Sequence, residues 1–163
     1  MSPTDLVDDA FPAQVADPLV RHRLPATCLV LEVTESLLMA DRVRAVSVLD
    51  RLRTAGVGVS IDDYGTGYSS LASLSVTELK LDRAFVASMP SSPRAAAVVT
   101  STLQLAQSLG LVLVAEGAED QETVEALTDL DCDVVQGYHI SRPLPPAQLE
   151  TWLRARLGAP APA

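Results

Sequence analysis

The sequence predicts an α/β fold in which a parallel sheet is covered by helices. Short apolar runs typical of buried strands alternate with amphipathic helices about five times along the chain. Acidic or polar residues directly follow almost every one of these runs. With 163 residues, 48% of them apolar, the chain is long enough for one domain with a sizeable core.

The predicted elements follow one another in regular order. Apolar residues that recur every three or four positions indicate helices, and short apolar runs between turn residues indicate strands. Asp41 is expected to cap its helix, and Gly56 and Gly110 are expected to end the helices before them. We predict helices over 10–23, 41–55, 68–74, 94–109, 120–130 and 145–157, and strands over 28–33, 57–61, 78–82, 111–115 and 133–136. Residues 1–157 form the predicted domain, and 158–163 a disordered tail.

Composition and charge exclude several classes of partner and location. The formal net charge of −9 argues against binding of a nucleic acid polymer or an anionic membrane surface. No apolar stretch approaches the ~20 residues that span a bilayer, and the N-terminus lacks the basic region of a signal peptide. Cys28 and Cys132 show no metal-binding or disulfide spacing, so we expect reduced, packed thiols. These features predict a cytoplasmic protein.

A pair of adjacent acids, Asp62 and Asp63, ends the apolar run 57–61 and enters a turn that contains Gly65 and Gly67. The glycines allow backbone angles that other residues resist. Two neighbouring carboxylates repel each other unless a cation lies between them, and hard oxygen ligands favour Mg²⁺, Mn²⁺ or Ca²⁺. The simpler interpretation is an acidic surface turn, because Asp and Gly are ordinary turn residues.

Other acidic and polar residues also lie at the ends of predicted strands. In parallel α/β folds and barrels the carboxyl ends of the strands converge on the active site, so residues far apart in sequence meet there. Lys80 is expected on the same face as Asp82, where it would need acidic partners. The alternative is that each acid merely faces water. The strand-end residues are Glu32, Asp62, Asp63, Asp82, Glu116 and Gln136.

Five sequence motifs together resemble the EAL domain, a family of cyclic di-GMP-specific phosphodiesterases on a (β/α)₈ barrel. They occur in the family's order and extend from about Leu6 to Leu153. The motifs are Leu31-Glu32-Val33-Thr34-Glu35-Ser36, residues 62–71, Leu79-Lys80-Leu81-Asp82-Arg83, Ala115-Glu116-Gly117-Ala118-Glu119, and Gln136-Gly137-Tyr138 followed by Arg142-Pro143-Leu144-Pro145.

The resemblance implies a role for each matching residue. Glu32, Asp62, Asp63 and Glu116 are similar to ligands of two Mg²⁺ or Mn²⁺ ions, and Glu116 and Lys80 to catalytic residues, the lysine contacting the attacking water. Gln136 resembles a substrate-binding residue. Two metals would activate water and neutralise the phosphodiester, opening cyclic di-GMP to linear pGpG. The positions that resemble supporting or loop residues are Glu35, Gly65, Gly67, Asp82 and Glu119.

The sequence also departs from the family's pattern. The only Glu-Ala-Leu tripeptide, residues 125–127, lies in a predicted helix and is a coincidence; the family's signature glutamate and an asparagine ligand would precede Met1. No arginine matches the one that grips the nucleotide near the signature. Lys80 follows Asp62 by 18 residues, a spacing shorter than the family's, which could displace the lysine.

The resemblance therefore predicts a partial TIM-type (β/α)₈ barrel that lacks its first strands. Length agrees, since complete barrels usually need ~250 residues. Either another chain completes the sheet, or the missing segment belongs to a separate protein, or the chain is a poorly folding remnant; a misplaced start codon would also explain it. Homodimers through the helix after the glycine turn are a further expectation.

Two functions follow, with a third less favoured. The first is an EAL-type phosphodiesterase, impaired by its two missing ligands. The second is a degenerate, inactive module that binds a protein partner, or cyclic di-GMP weakly, without turnover. A metabolic barrel of another type would not explain the glycine turn and its companion motifs.

Overall fold

The protein is described by a computed structural model that covers residues 1–38, 41–64 and 74–158. Within these ranges, parallel strands alternate with helices. The strands are β1 (Val30–Thr34), β2 (Gly58–Tyr64), β3 (Glu78–Leu81), β4 (Val112–Glu116) and β5 (Val134–Gln136). The helices are α1 (Phe11–Arg21), α2 (Glu35–Leu38), α3 (Arg42–Thr54), α4 (Arg83–Ser88), α5 (Pro93–Leu109), α6 (Gln121–Asp129) and α7 (Pro146–Leu157).

All five predicted strands are confirmed, with shifted boundaries, and the second extends through Tyr64 so that it contains Asp62 and Asp63. The first begins at Val30 and not at Cys28, because Ala26–Cys28 form a 3₁₀ turn directly after Pro25. The short helices α2 and α4 were not predicted. Except for Leu74, the helix predicted over 68–74 lies outside the described residues, as do Gly65 and Gly67. The predicted tail also lies outside them, apart from Gly158, which ends α7 with φ +63°.

The sheet is entirely parallel, and its strands lie side by side in the order of the sequence, β1-β2-β3-β4-β5. A doubly wound sheet interrupts that order at a switch point, whereas a barrel wall preserves it. The order therefore supports the predicted barrel-type architecture, with β1 and β5 at the two edges of the described sheet.

The two faces of the sheet differ in what covers them. One face is packed by the helices and carries fully buried side chains. On the opposite face Val30, Val112 and Val134, at the starts of their strands, are each 41–43% exposed. Ser60, Lys80 and Val114 on that face are buried. These valines share their face with Glu32, Lys80 and Glu116 through the two-residue period of the strands. The buried residues of the helix-covered face are Val33, Val59, Ile61, Leu79, Leu81, Leu113 and Ala115.

Several helices begin at a capping side chain. Asp41 accepts a hydrogen bond from Arg44 N–H (3.2 Å), Asp82 from Ala84 N–H (2.7 Å) and Asp120 from Thr123 N–H (2.7 Å). The hydrogen bond to Asp41 confirms its predicted role as the cap of α3. The other two caps fix the starts of α4 and α6. No described helix has the length and apolarity needed to cross a bilayer.

Candidate functional site

Lys80 lies at the centre of a cluster of carboxylates on the open face of the sheet. Its Nζ is 2.5 Å from Oε1 of Glu116, 2.6 Å from Oε1 of Glu32 and 3.6 Å from Oδ1 of Asp62. The lysine side chain is only 7% exposed. The structure thus brings together four of the predicted site residues, and the short spacing between Asp62 and Lys80 does not displace the lysine. We call Glu32, Asp62, Lys80 and Glu116 the lysine–carboxylate cluster.

The parallel register produces this convergence. Glu32 lies in β1, Asp62 in β2, Lys80 in β3 and Glu116 in β4, so four adjacent strands each contribute one charged group. All four strands run in the same direction, and their charged residues lie towards the carboxyl edge. Residues separated by up to 84 positions, such as Glu32 and Glu116, therefore meet at one end of the sheet.

A β-bulge lies beside Lys80 and separates the two adjacent acids. Ile61 pairs with Leu79 and Tyr64 with Leu81, so Asp62 and Asp63 together lie opposite the single residue Lys80. Asp63 has φ +56°, and its N–H donates to Oδ1 of Asp62 at 3.1 Å. Bulges of this kind redirect side chains next to active sites. Here Asp62 contacts Lys80, while Asp63 faces solvent.

Burial and nearby charges shift the pKa values of Lys80 and of the neighbouring Asp63. Burial alone lowers the pKa of Lys80, but hydrogen bonds to Glu116 and Glu32 and the nearby negative charges outweigh it and raise that pKa above its ordinary value. Partial burial, followed by the charges of Asp62 and Asp82, raises the pKa of Asp63. Lys80 is therefore an ammonium ion at neutral pH, which can donate hydrogen bonds and stabilise negative charge.

The segment after Glu116 is held close to α4 by a glycine. Gly117 has φ +76°, and a Cβ on it would lie 2.6 Å from Cβ of Arg83. Glu116 pairs in register with Gln136, and the carbonyl of Gln136 accepts a hydrogen bond from Ala118 N–H (3.1 Å). These contacts fix the carboxyl ends of β4 and β5 relative to each other.

A cleft of about 820 Å³ opens beside the cluster, between the end of β5 and α7. Its volume is within the range of small-molecule sites. The guanidinium of Arg142 lies 4.6 Å from the ring centre of Tyr138. The sequence predicted a packing role for Trp152 and no functional role for Tyr138 or Arg142, although both of these lie in one of the five motifs. The lining includes Arg83, Glu116, Gln136, Tyr138, Arg142 and Trp152.

The supporting residues predicted from the sequence have separate positions. Asp82 caps α4, and Glu119 is exposed on the lining of the cleft. Glu35 begins α2, and Gly65 and Gly67 lie outside the described ranges. The roles assigned to all of these residues, and to the cluster itself, stay predictions.

The carboxylate oxygens of the cluster are suitable ligands for a hard divalent cation, but in this structure they are arranged around the ammonium of Lys80. In the described part of the chain, no three Asp, Glu, His or Cys side chains are placed to hold a metal ion. Mg²⁺ requires oxygen atoms at about 2.0–2.1 Å, whereas the carboxylates here surround Nζ at hydrogen-bond distances. Glu32, Asp62 and Glu116, with Asp63 beside them, nevertheless supply the oxygen ligands that Mg²⁺ and Mn²⁺ prefer.

The chain is similar to known proteins over most of its length. The EAL domain family model matches residues 1–143. The chain is 46% identical over 144 residues to the cyclic di-GMP phosphodiesterase NbdA of Pseudomonas aeruginosa, a match that covers 83% of this chain and 18% of NbdA. The chain thus spans about a fifth of that relative.

Solved structures show the same architecture. The MucR phosphodiesterase of Pseudomonas aeruginosa, in complex with c-di-GMP, superposes with a TM-score of 0.85 at 40% identity, covering 91% of this chain and 62% of that chain. The EAL domain of Mycobacterium smegmatis DcpA superposes with a TM-score of 0.89 at 39% identity, covering 95% of this chain and 71% of that chain. The chain belongs to the EAL domain family.

Proposed function

We propose that this chain acts in the metal-dependent hydrolysis of cyclic di-GMP to linear pGpG. The observation that carries the proposal is the convergence of Glu32, Asp62 and Glu116 on Lys80 at the carboxyl edge of four strands. Relatives named as cyclic di-GMP phosphodiesterases, and the c-di-GMP complex of MucR, support the choice of substrate. The cytoplasmic location stays a prediction.

The reaction adds water across one phosphodiester bond of the cyclic dinucleotide. The water oxygen bonds to phosphorus, the bond from phosphorus to the ribose 3′ oxygen breaks, and that oxygen receives a proton. EAL phosphodiesterases generally depend on divalent metals. Bound Mg²⁺ or Mn²⁺ would neutralise charge on the phosphodiester and lower the pKa of a bound water. Either ion would be held by Glu32, Asp62, Asp63 and Glu116.

The chain's own residues have separate tasks in this proposal. Lys80, as an ammonium ion, orients the attacking water and stabilises charge that develops at the phosphate. Gln136, at the end of β5 and on the cleft wall, binds the substrate. The ammonium contacts the carboxylates that would hold the ions, so it lies close to the water that those ions would bind.

We further infer that the open face of the sheet is covered when the site is complete. Val30, Val112 and Val134 are exposed on it, and solved EAL domains extend beyond the part that this chain covers. In the described ranges no strand pairs with the outer edge of β1, where the Met1 ammonium donates to the carbonyl of Glu32 at 2.6 Å. The proposed covering element is a set of barrel strands from a partner, with a homodimer as the alternative.

Light scattering after gel filtration tests the covering element. The chain is measured alone and mixed with the amino-terminal barrel strands of MucR. A 1:1 complex in the mixture supports completion by barrel strands, a dimer of the chain alone supports the homodimer, and a monomer in both samples refutes both.

A catalytically inactive binding module is the second candidate function. It is favoured by the cluster's arrangement around an ammonium ion, since no three ligand side chains of the described residues are placed to hold a metal ion. Cyclic di-GMP is incubated with Mn²⁺ and the protein, pGpG is followed by chromatography, and Asp62→Ala serves as the control. Turnover that only the wild type shows supports the enzyme. Binding measured by calorimetry without turnover, unchanged in Asp62→Ala, supports the module.

A further inference from the structure

The sequence contains a single lysine, Lys80, and every other long basic side chain is an arginine. That one ammonium lies inside the protein, with its side chain 7% exposed and three carboxylates around it. Surface lysines, the usual position of this residue type, do not occur in this chain. A role in solubility or in surface ion pairing therefore does not account for Lys80.

The oxygens that contact Lys80 belong to the residues proposed to hold the metals. Nζ lies 2.5 Å from Oε1 of Glu116 and 2.6 Å from Oε1 of Glu32, both charge-assisted hydrogen bonds. A divalent cation bound by the same carboxylates would lie within a few ångströms of the ammonium and repel it. The two cations therefore compete for these carboxylate oxygens.

We propose that Lys80 is an internal counter-ion that competes with divalent metal for Glu32, Asp62 and Glu116, so that metal binding requires its ammonium to withdraw from at least one of them. The proposal rests on the metal site of the proposed function. It adds that the ammonium holds the three carboxylates together and lowers their affinity for metal.

The strand that carries Lys80 is fixed, so the withdrawal is a movement of the side chain alone. Leu79 and Leu81, the residues on either side, are fully buried on the helix-covered face. β3 also pairs with β4 along its whole length and with β2 on both sides of the bulge. The four-carbon stem of lysine can redirect the ammonium by rotamer changes without disturbing this packing.

The affinity for Mn²⁺ alone, measured by calorimetry or by electron paramagnetic resonance of free Mn²⁺, tests the competition. Lys80→Met removes the charge and keeps a flexible apolar stem, and it is expected to lower the Kd for Mn²⁺ at least about tenfold. Lys80→Arg keeps the charge and is expected to bind Mn²⁺ no more tightly than the wild type. Arg83→Met removes an exposed positive charge at the start of α4 and controls for the general electrostatic effect.

A measurement on the wild type keeps the test valid if Lys80→Met does not fold. Labelling with ¹⁵N-lysine gives one side-chain signal, because the chain has one lysine. We expect a titration with Mg²⁺ to shift this signal towards that of a solvated lysine, with the same midpoint as metal binding. An unchanged signal at saturating Mg²⁺ would overturn the proposal.

Metal affinity and hydrolysis can fail separately. If Lys80→Met binds Mn²⁺ no more tightly than the wild type, or Arg83→Met tightens binding as much, the competition is refuted even if the wild type produces pGpG. If Lys80→Met tightens Mn²⁺ binding while the wild type produces no pGpG, the competition stands and the phosphodiesterase proposal fails.

Discussion

The ammonium of Lys80 and the carboxylate of Glu116 form a 2.5 Å ion pair that joins β3 to β4 at the carboxyl edge of the sheet. Glu32 and Asp62 approach the same ammonium from β1 and β2. The ammonium of Lys80 therefore neutralises part of the negative charge that β1, β2 and β4 bring to this edge.

Replacing Lys80 with methionine should destabilise the fold as well as the site. Without the ammonium, Glu32, Asp62 and Glu116 repel one another, and we expect the free energy of unfolding to fall by about 2 kcal/mol, less than for fully buried pairs because the carboxylates are partly exposed. Urea denaturation without metal measures this loss. Arg83→Met is the matched control and should change stability by less than about 0.5 kcal/mol. Equal losses in both variants would contradict the account.

Replacing Gly117 with alanine should destabilise the protein more than the same change at Gly110. Both glycines have positive φ, +76° and +67°, so alanine at either position is strained by the left-handed backbone conformation. Only at position 117 does the new Cβ also lie 2.6 Å from Cβ of Arg83; at position 110 it has no neighbour within 4 Å. We expect Gly117→Ala to cost about 1–3 kcal/mol more in urea denaturation. A smaller loss for Gly117→Ala than for Gly110→Ala would show that α4 and β4 are not in close contact.

The two cysteines should react with thiol reagents at different rates. Cys28 is exposed, whereas burial raises the pKa of Cys132 and lowers the thiolate fraction at any given pH. At pH 8 we expect alkylation of Cys132 to be about tenfold slower or more. Mass spectrometry of Cys28→Ser and Cys132→Ser measures each thiol separately. Because folding raises the pKa of Cys132, the free energy of unfolding includes a contribution that is fully present while the thiol is protonated. This contribution decreases as the pH rises and the thiol ionises.

Ligand binding in the cleft should change the fluorescence of Trp152, the only tryptophan of the chain. Arg142 lies over Tyr138 on the same wall and carries a positive charge that favours a phosphodiester. We expect Arg142→Ala to weaken cyclic di-GMP binding about tenfold in a fluorescence titration. Arg94, exposed at the start of α5, provides the control, and Arg94→Ala should leave the affinity unchanged. Equal affinities for both variants would place the ligand elsewhere.

Much of the fold and part of the site could be predicted from the sequence. Strands and caps carry local signals, such as the apolar run before Asp62 and the position of Asp41 before its helix. Convergence of Glu32, Asp62 and Glu116 follows from the parallel direction of their strands. The family's motifs supplied roles that periodicity alone does not contain.

Other features depend on contacts that a linear pattern does not encode. The bulge at Asp62 and Asp63 arises from pairing with β3, so the linear pattern did not indicate that the two acids would be oriented differently. The requirement for Gly117 arises from Arg83, which is distant in sequence. The 3₁₀ turn over Ala26–Cys28 shortened the first strand because Pro25 directs the chain into it.

The central claim is tested most directly by the incorporation of ¹⁸O from labelled water into pGpG. The chain is incubated with cyclic di-GMP and Mn²⁺, alone and with the amino-terminal barrel strands of MucR, and the products are analysed by mass spectrometry. The account predicts pGpG with one ¹⁸O on its terminal phosphate, absent with Asp62→Ala and after metal removal by EDTA. No pGpG under either condition, from protein shown to be folded by circular dichroism, or equal amounts from Asp62→Ala, would contradict it.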